Sequence, residues 1–290
     1  MHHKTIPAFL DASRLSLSKL PAALVFAETP SDIQPTLEHL VRKGFGVIAL
    51  LTGYDVALPP ELESRIHVID WNVHAPNAVP DAVNRIIRAC PGVWLHYCYN
   101  GEFLFYPFCE TRDIRDLTIF HTEERRSAFF THVIDLYAPD LSSHPDGVDM
   151  EQAHLDRLGY YALNRMEPET GYIEVKERQI DCYGGLRWRF EEHVPHNRRR
   201  IDRISLFRAA KGLMLRDDHT FNVEEYNTYA CPWHNNITLA LCSFRTARAL
   251  RINPHSRRAI STFRWSHSTR FDWHSQQLMD LGLMEPGQWF

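Results

Sequence analysis

Two carboxylates in this sequence stand where a carboxylate needs an explanation. Glu102 follows Asn100-Gly101 in VWLHYCYNGEFLFYP, residues 93–107, between two apolar runs. Asp135 interrupts the apolar run SAFFTHVIDLYAP, residues 127–139. A carboxylate inside an apolar strand must find a cation or hold its proton at a raised pKa, and both states suit acid–base chemistry. Two readings are therefore open for Asp135: an acid at a sheet end paired with a nearby arginine, or a functional group. The plain reading of Glu102 is an acid at a wet hairpin turn, because Asn-Gly between alternating apolar residues predicts a tight turn between two strands. Further on, Gly184-Gly185 precedes Arg187 and Arg189 in IDCYGGLRWRF, residues 180–190. A glycine pair lets backbone approach a ligand closely, and two guanidiniums nearby could grip phosphate. HNRRRIDR, residues 196–203, is the densest basic cluster, and a solvated face is the plain reading of its three arginines.

The elements that must position these groups read as an α/β alternation. AALVFAE (22–28), GVIALL (46–51), IHVID (66–70) and VWLHYCY (93–99) predict buried strands. Ser31 is placed to cap a helix with Ile33, Leu37, Leu40 and Val41 on one face and Gly44 as its stop. A second helix carries Val83, Ile86, Ile87 and Cys90 and ends at Pro91-Gly92. Such alternation builds a mostly parallel sheet with helices on its faces, and ligands bind beyond the carboxyl ends of the strands. That rule points to the turn holding Glu28 and Thr29 and to the one before Glu102. Residues 113–126 predict a helix, 140–170 a long loop or partly helical insertion, and 221–290 a helix-leaning tail. In the tail, Ile237, Leu241 and Phe244 are expected on one helical face and Arg245, Arg248 and Arg251 on another.

At 290 residues, 44% hydrophobic and 23% charged, the chain suits one large α/β domain or a domain with a small appendage. A net charge of −4 argues against a whole-chain nucleic-acid binder. No apolar run approaches the length of a transmembrane segment. MHHKTIPAFLDASRLSLSKL lacks an apolar core followed by a small-residue cleavage site, so a cytoplasmic location is expected. The six cysteines form no C-x-x-C pair, which fits reduced thiols. The 17 histidines are scattered and read mostly as surface or packing residues.

The stretch around Glu102 resembles the bacterial glycosyltransferase family 2-like class, in which a strand runs into Asp-x-Asp-Glu and an apolar-Tyr-Pro segment. Glu102, Phe103, Leu104, Tyr106 and Pro107 match that frame, while Tyr99 and Gly101 stand where the class has its two aspartates. The succession continues through Ile134-Asp135-Leu136-Tyr137, Gly184-Gly185 with Arg187, Arg203-Ile204-Ser205-Leu206, and His219 in RDDH. Order and spacing agree over roughly residues 90–220.

The resemblance implies an α/β, GT-A-like (Rossmann-like) fold over residues 1–220, a mixed, mostly parallel sheet with helices on both faces. Residues 1–20 would be an N-terminal extension and 221–290 a helical C-terminal tail packed on the domain. The implied activity is transfer of a sugar from a nucleotide-sugar donor to an unknown glycan or other acceptor, as a hexosyltransferase does. Asp135 or Glu102 would be the catalytic base for the acceptor hydroxyl. Gly184, Gly185, Arg187 and Arg203 would hold the donor. Glu102 and His219 would be the ligands of a weak Mn²⁺ or Mg²⁺ site, since hard cations want several oxygen ligands. Two other readings stand beside this one. The chain is a catalytically inactive glycosyltransferase fold that binds a sugar nucleotide or a partner protein, or it is a histidine-rich metal-binding or interaction protein.

Overall fold

The computed structural model describes residues 1–17 and 19–289, which fall into two units interleaved along the chain. Unit 1 comprises Met1–Phe103, Cys109–Phe129 and Ile204–Asn227; unit 2 comprises Leu104–Phe108, Phe130–Arg203 and Thr228–Phe290. The chain begins with β1 (His2–His3), α1 (Ile6–Leu17), β2 (Ala22–Phe26), α2 (Ile33–Arg42) and β3 (Val47–Thr52). It continues with α3 (Pro60–Glu63), β4 (Ile66–Asp70), α4 (Ala78–Ala89) and β5 (Trp94–Tyr99). Then come β6 (Glu102–Phe105), whose two halves belong to different units, and α5 (Ile114–Glu123).

In unit 1 the strand order is β1-β4-β3-β2-β5, followed by β11 (Asp202–Arg208), which returns from far along the chain. β2 runs parallel to β3 (Ala22↔Val47) and to β5 (Ala22↔Leu95), while β11 runs antiparallel to β5 (Leu206↔His96). Every residue of β2, β3 and β5 is buried, the pattern of parallel strands covered on both faces. The strands grow in one direction from β2 to β4, and β5 then lies on the other side of β2. With right-handed crossovers, that reversal puts α2 and α4 on opposite faces. α2 buries Ile33, Thr36, Leu37 and Leu40, one stripe at helical spacing, and Gly44 beyond its end adopts φ +86°. α5 begins with a capping box in which Asp113 and Asp116 each bond the other's backbone N–H.

Unit 2 holds most of β7 (Ala128–Asp135), then β8 (His154–Asp156), β9 (Tyr161–Met166), β10 (Val175–Tyr183) and α6 (Gly185–Arg189). After β11 come β12 (Thr238–Ser243), α7 (Arg245–Ile252), α8 (Pro254–Ala259), β13 (Ser268–Arg270) and α9 (Ser275–Asp280). β7 and β12 pair in parallel, from Phe130↔Thr238 to Asp135↔Ser243. β9–β10 and β8–β13 are antiparallel ribbons.

Several expectations are corrected. Asn100-Gly101 is no hairpin turn: β5 has β2 and β11 as its neighbours, and the Asn100 side chain is engaged elsewhere. The helix cap is Asp32, in the left-handed region and without a side-chain cap bond; Ser31 instead offers its carbonyl to Asn100. Residues 140–170 are no structureless loop but carry β8 and β9. The helical face expected for Ile237, Leu241 and Phe244 is not formed: Leu241 lies in β12 and the other two flank it, in a short apolar run whose period does not separate strand from helix. Residues 1–17 form β1, paired parallel with β4, and α1, packed against α4. Among the described residues no helix is long and apolar enough to cross a membrane.

Candidate functional site

In unit 2, parallel pairing with β12 brings Asp135 to the last position of β7, and β10 ends in the glycine pair that starts α6. Both glycines are required by close approach. A Cβ on Gly184 would lie 2.2 Å from the Tyr160 ring. Gly185 sits at φ +62°, and a Cβ there would lie 2.9 Å from Asp135 Oδ2. The turn lets the Arg187 backbone N–H donate to Asp135 Oδ2 at 3.3 Å, and puts Arg187 Nε 3.5 Å from Asp135 Oδ1. Arg187 also donates from Nε to Thr246 Oγ1 (3.1 Å) and from Nη1 to the Arg200 carbonyl (2.8 Å). The Asp135 side chain is fully buried. Burial raises its pKa, and the Arg187 guanidinium, followed by hydrogen bonds from Thr246 and from backbone N–H groups, acts the other way.

A second carboxylate, Asp156, is buried in the same unit. Its Oδ1 accepts from Tyr137 Oη at 2.5 Å and from Trp265 Nε1 at 2.8 Å, and its Oδ2 lies 3.1 Å from Arg189 Nε. Tyr137 Oη is also 2.7 Å from Ser268 Oγ. The Arg189 guanidinium donates to the Phe263 carbonyl and lies over the Trp265 ring, 5.0 Å from its centre. Burial raises the Asp156 pKa against the pull of Arg189. Tyr160 places a solvent-shielded hydroxyl that has no hydrogen-bond partner among the described residues. Asp156, Tyr160 and Trp265 escaped the sequence reading because nothing local marks them: their meeting depends on β8 pairing with β13.

In unit 1, β2 and β5 form the switch point of the parallel strands, and Asn100 fastens the loop that leaves β2. Its Oδ1 accepts from Glu28 N (2.9 Å), while Nδ2 donates to Thr29 O (3.1 Å), Thr29 Oγ1 (3.0 Å) and Ser31 O (2.6 Å). The Gly101 N–H donates to Thr36 Oγ1 at 2.9 Å. Glu102 is buried, and its Oε2 accepts from the Tyr99 N–H at 2.9 Å. His219 lies parallel to the Tyr97 ring with Nδ1 3.0 Å from its hydroxyl. Among the described residues no three His, Cys, Asp or Glu side chains are grouped to hold a metal ion. Glu102 and His219 alone supply fewer ligands than a hard divalent ion takes.

The basic cluster is partly built into the fold. Arg200 Nη2 and Arg165 Nη2 both reach Asp202 Oδ2 at 2.6 Å, and Arg165 Nε bonds Asp181 Oδ1 at 2.7 Å. Arg199 reaches Glu191 Oε2 at 3.1 Å, whereas Arg198 is exposed. Arg203 is buried in β11. Of the expected donor-binding residues, Gly185 and Arg187 thus meet Asp135, while Gly184 packs against the Tyr160 ring.

No protein-family model matches the chain, and no curated protein matches it. Among solved structures it is similar to a UDP-glucose pyrophosphorylase from Acinetobacter baumanii, at 12% identity and a TM-score of 0.25. The similarity covers 42% of this chain and 58% of that chain.

Proposed function

We propose that the chain is a glycosyltransferase-like protein that transfers a sugar from a nucleotide-sugar donor to an acceptor hydroxyl, with Asp135 as the base. The observation that carries this reading is the meeting of Asp135 with Gly185 and Arg187, which lie far along the chain from it and which the resemblance implies as parts of one site. A carboxylate whose pKa is raised by burial accepts a proton closer to neutrality than a free one does. In the proposed step Asp135 takes the proton of the acceptor hydroxyl. The hydroxyl oxygen bonds to the anomeric carbon, and the bond from that carbon to the diphosphate oxygen breaks. Gly184 and Gly185 offer the diphosphate a close backbone approach, and Arg187 and Arg203 offer charge. Asp135 is preferred to Glu102 because it is the carboxylate that Gly185 and Arg187 meet.

A second reading, a catalytically inactive glycosyltransferase fold that serves as a binding or scaffold protein, is favoured by one observation. The Arg187 guanidinium is engaged by Thr246 and Arg200, over a carboxylate with no exposure. A thermal-shift panel of nucleotide sugars, with Mn²⁺ or with EDTA, tests both readings. The transferase reading expects a raised midpoint with a nucleotide sugar, little affected by EDTA, and release of nucleoside diphosphate that Asp135→Asn abolishes. A shift without turnover leaves the inactive fold, and no shift with any nucleotide sugar refutes the transferase reading and leaves of the second only a fold that binds a partner protein.

A further inference from the structure

The end of α2 and the loop before α5 bring an amine and a thiol together in unit 1. Lys43 closes α2, and its carbonyl accepts from the Ile114 N–H at 3.0 Å, which fixes it against the start of α5. Its Nζ donates to Cys109 Sγ at 2.9 Å and to the Cys109 carbonyl at 3.1 Å. Cys109 Sγ lies 3.3 Å from Glu110 Oε1 on its other side. The Lys43 ammonium is seated to stabilise a thiolate once it forms, and the Glu110 carboxylate accepts from the thiol and can take its proton. Burial and the neighbouring Asp202 push the Cys182 thiol pKa up. Cys109 also keeps 7% exposure, where Cys98 and Cys242 have none.

We propose that Lys43 and Cys109 form a peroxide-sensitive modification site, in which oxidised Cys109 is captured by Lys43 as a sulfenamide. The Cys109 thiolate attacks one oxygen of hydrogen peroxide, the O–O bond breaks, and the sulfur is oxidised to a sulfenic acid. The hydroxide released takes a proton from the Lys43 ammonium and leaves as water. The neutral amine then attacks the sulfur: the S–N bond forms, the S–O bond breaks, and the hydroxyl leaves with an amine proton as a second water. One peroxide, reduced to two waters, accounts for the two-electron oxidation. The sulfenic acid condensing with a nearby nitrogen is established chemistry for backbone amides, and here the nitrogen is an amine in contact with the sulfur. The product joins the C-terminal end of α2 to the loop that leads into α5, and external thiol reverses it.

The test is mass spectrometry of the full chain after hydrogen peroxide, digested without reductant. The expected product is the peptide holding Lys43 joined to the peptide holding Cys109, lighter than their sum by two hydrogens and separated by dithiothreitol. Cys109 found as a sulfinic acid with the Lys43 peptide unjoined overturns the proposal. So does an unmodified Cys109 in a sample whose exposed Cys231 has been oxidised. In Lys43→Arg the charge is kept but the nucleophile is lost, so a sulfenic acid at Cys109 should persist and become labelled by dimedone. Unchanged labelling relative to wild type refutes capture by Lys43, and the wild-type peptide decides the matter even if this variant does not fold.

Discussion

Asn100→Ala removes all four hydrogen bonds that fasten the loop after β2, and its cost can be worked from their surroundings. Asn100 itself is 2% exposed, so water does not already share these contacts at its end. A neutral hydrogen bond contributes about 1 kcal/mol net, and a partner left buried and unpaired costs about 1–3 kcal/mol. Glu28 and Thr29 are only half-buried, so water can replace part of what they lose. The expected loss is therefore about 2–4 kcal/mol. Urea titration measures it as a lower midpoint with an unchanged slope. Asn100→Asp is the sharper variant. It keeps an acceptor for the Glu28 N–H but turns the donor into an oxygen facing the Thr29 and Ser31 carbonyls, so at neutral pH it should lose at least as much as alanine. A loss of about 0.5 kcal/mol or less in Asn100→Ala, the range of ordinary surface changes, refutes the fastening role.

Gly185→Ala combines φ +62° with a Cβ 2.9 Å from Asp135 Oδ2 and should cost about 1–3 kcal/mol in a chemical-denaturation series. Gly92→Ala, at φ +93° with open space around it, is the milder comparison. Arg187→Ala leaves Asp135 buried and unpaired and should cost about 3–5 kcal/mol at neutral pH. The Asp135 pKa is raised on folding, so its contribution is present below the ordinary carboxyl value of 3.8 and is lost as pH rises through the folded value. The Arg187→Ala loss should accordingly shrink in acid, and a pH-independent loss would point to packing alone. Burial lowers the His121 pKa to about 3, with its Nε2 2.9 Å from the Ala128 carbonyl. That contribution is intact above pH 6.5 and is lost as pH falls toward 3, by at most about 1.4 kcal/mol per pH unit. Stability of His121→Gln should fall less steeply than that of wild type over the same window.

The four strands between residues 22 and 99 were legible because parallel strands buried on both faces are near-continuous apolar runs, and little else in a sequence looks like that. Asn100-Gly101 misled for a physical reason. The pair does adopt a turn, Gly101 at φ +77°, but whether the next strand folds back beside β5 is decided by β11, whose residues lie a hundred positions away. β12 was hidden in the tail because a run of six residues, apolar between Thr238 and Ser243, fits either period. Asp135 was legible as a carboxylate in need of a partner, and the partner is Arg187. The residues around Asp156 were not, since Trp265 and Ser268 are ordinary residues that the pairing of β8 with β13 brings to Asp156 and Tyr137.

The place of β11 beside β5 has a consequence for how the protein is made. A ribosome delivers β2, β3, β4 and β5 early, and they can pair at once. The free edge of β5 then waits while the chain from Phe130 to Arg203 is synthesised, because its antiparallel partner lies beyond them. During that interval a nascent sheet presents unpaired backbone groups of an apolar strand, the condition under which chains associate with one another. Slow synthesis should therefore lower the soluble yield through the lifetime of that edge, and chaperones that bind extended apolar segments should be found on nascent chains that have exposed β5 but not β11.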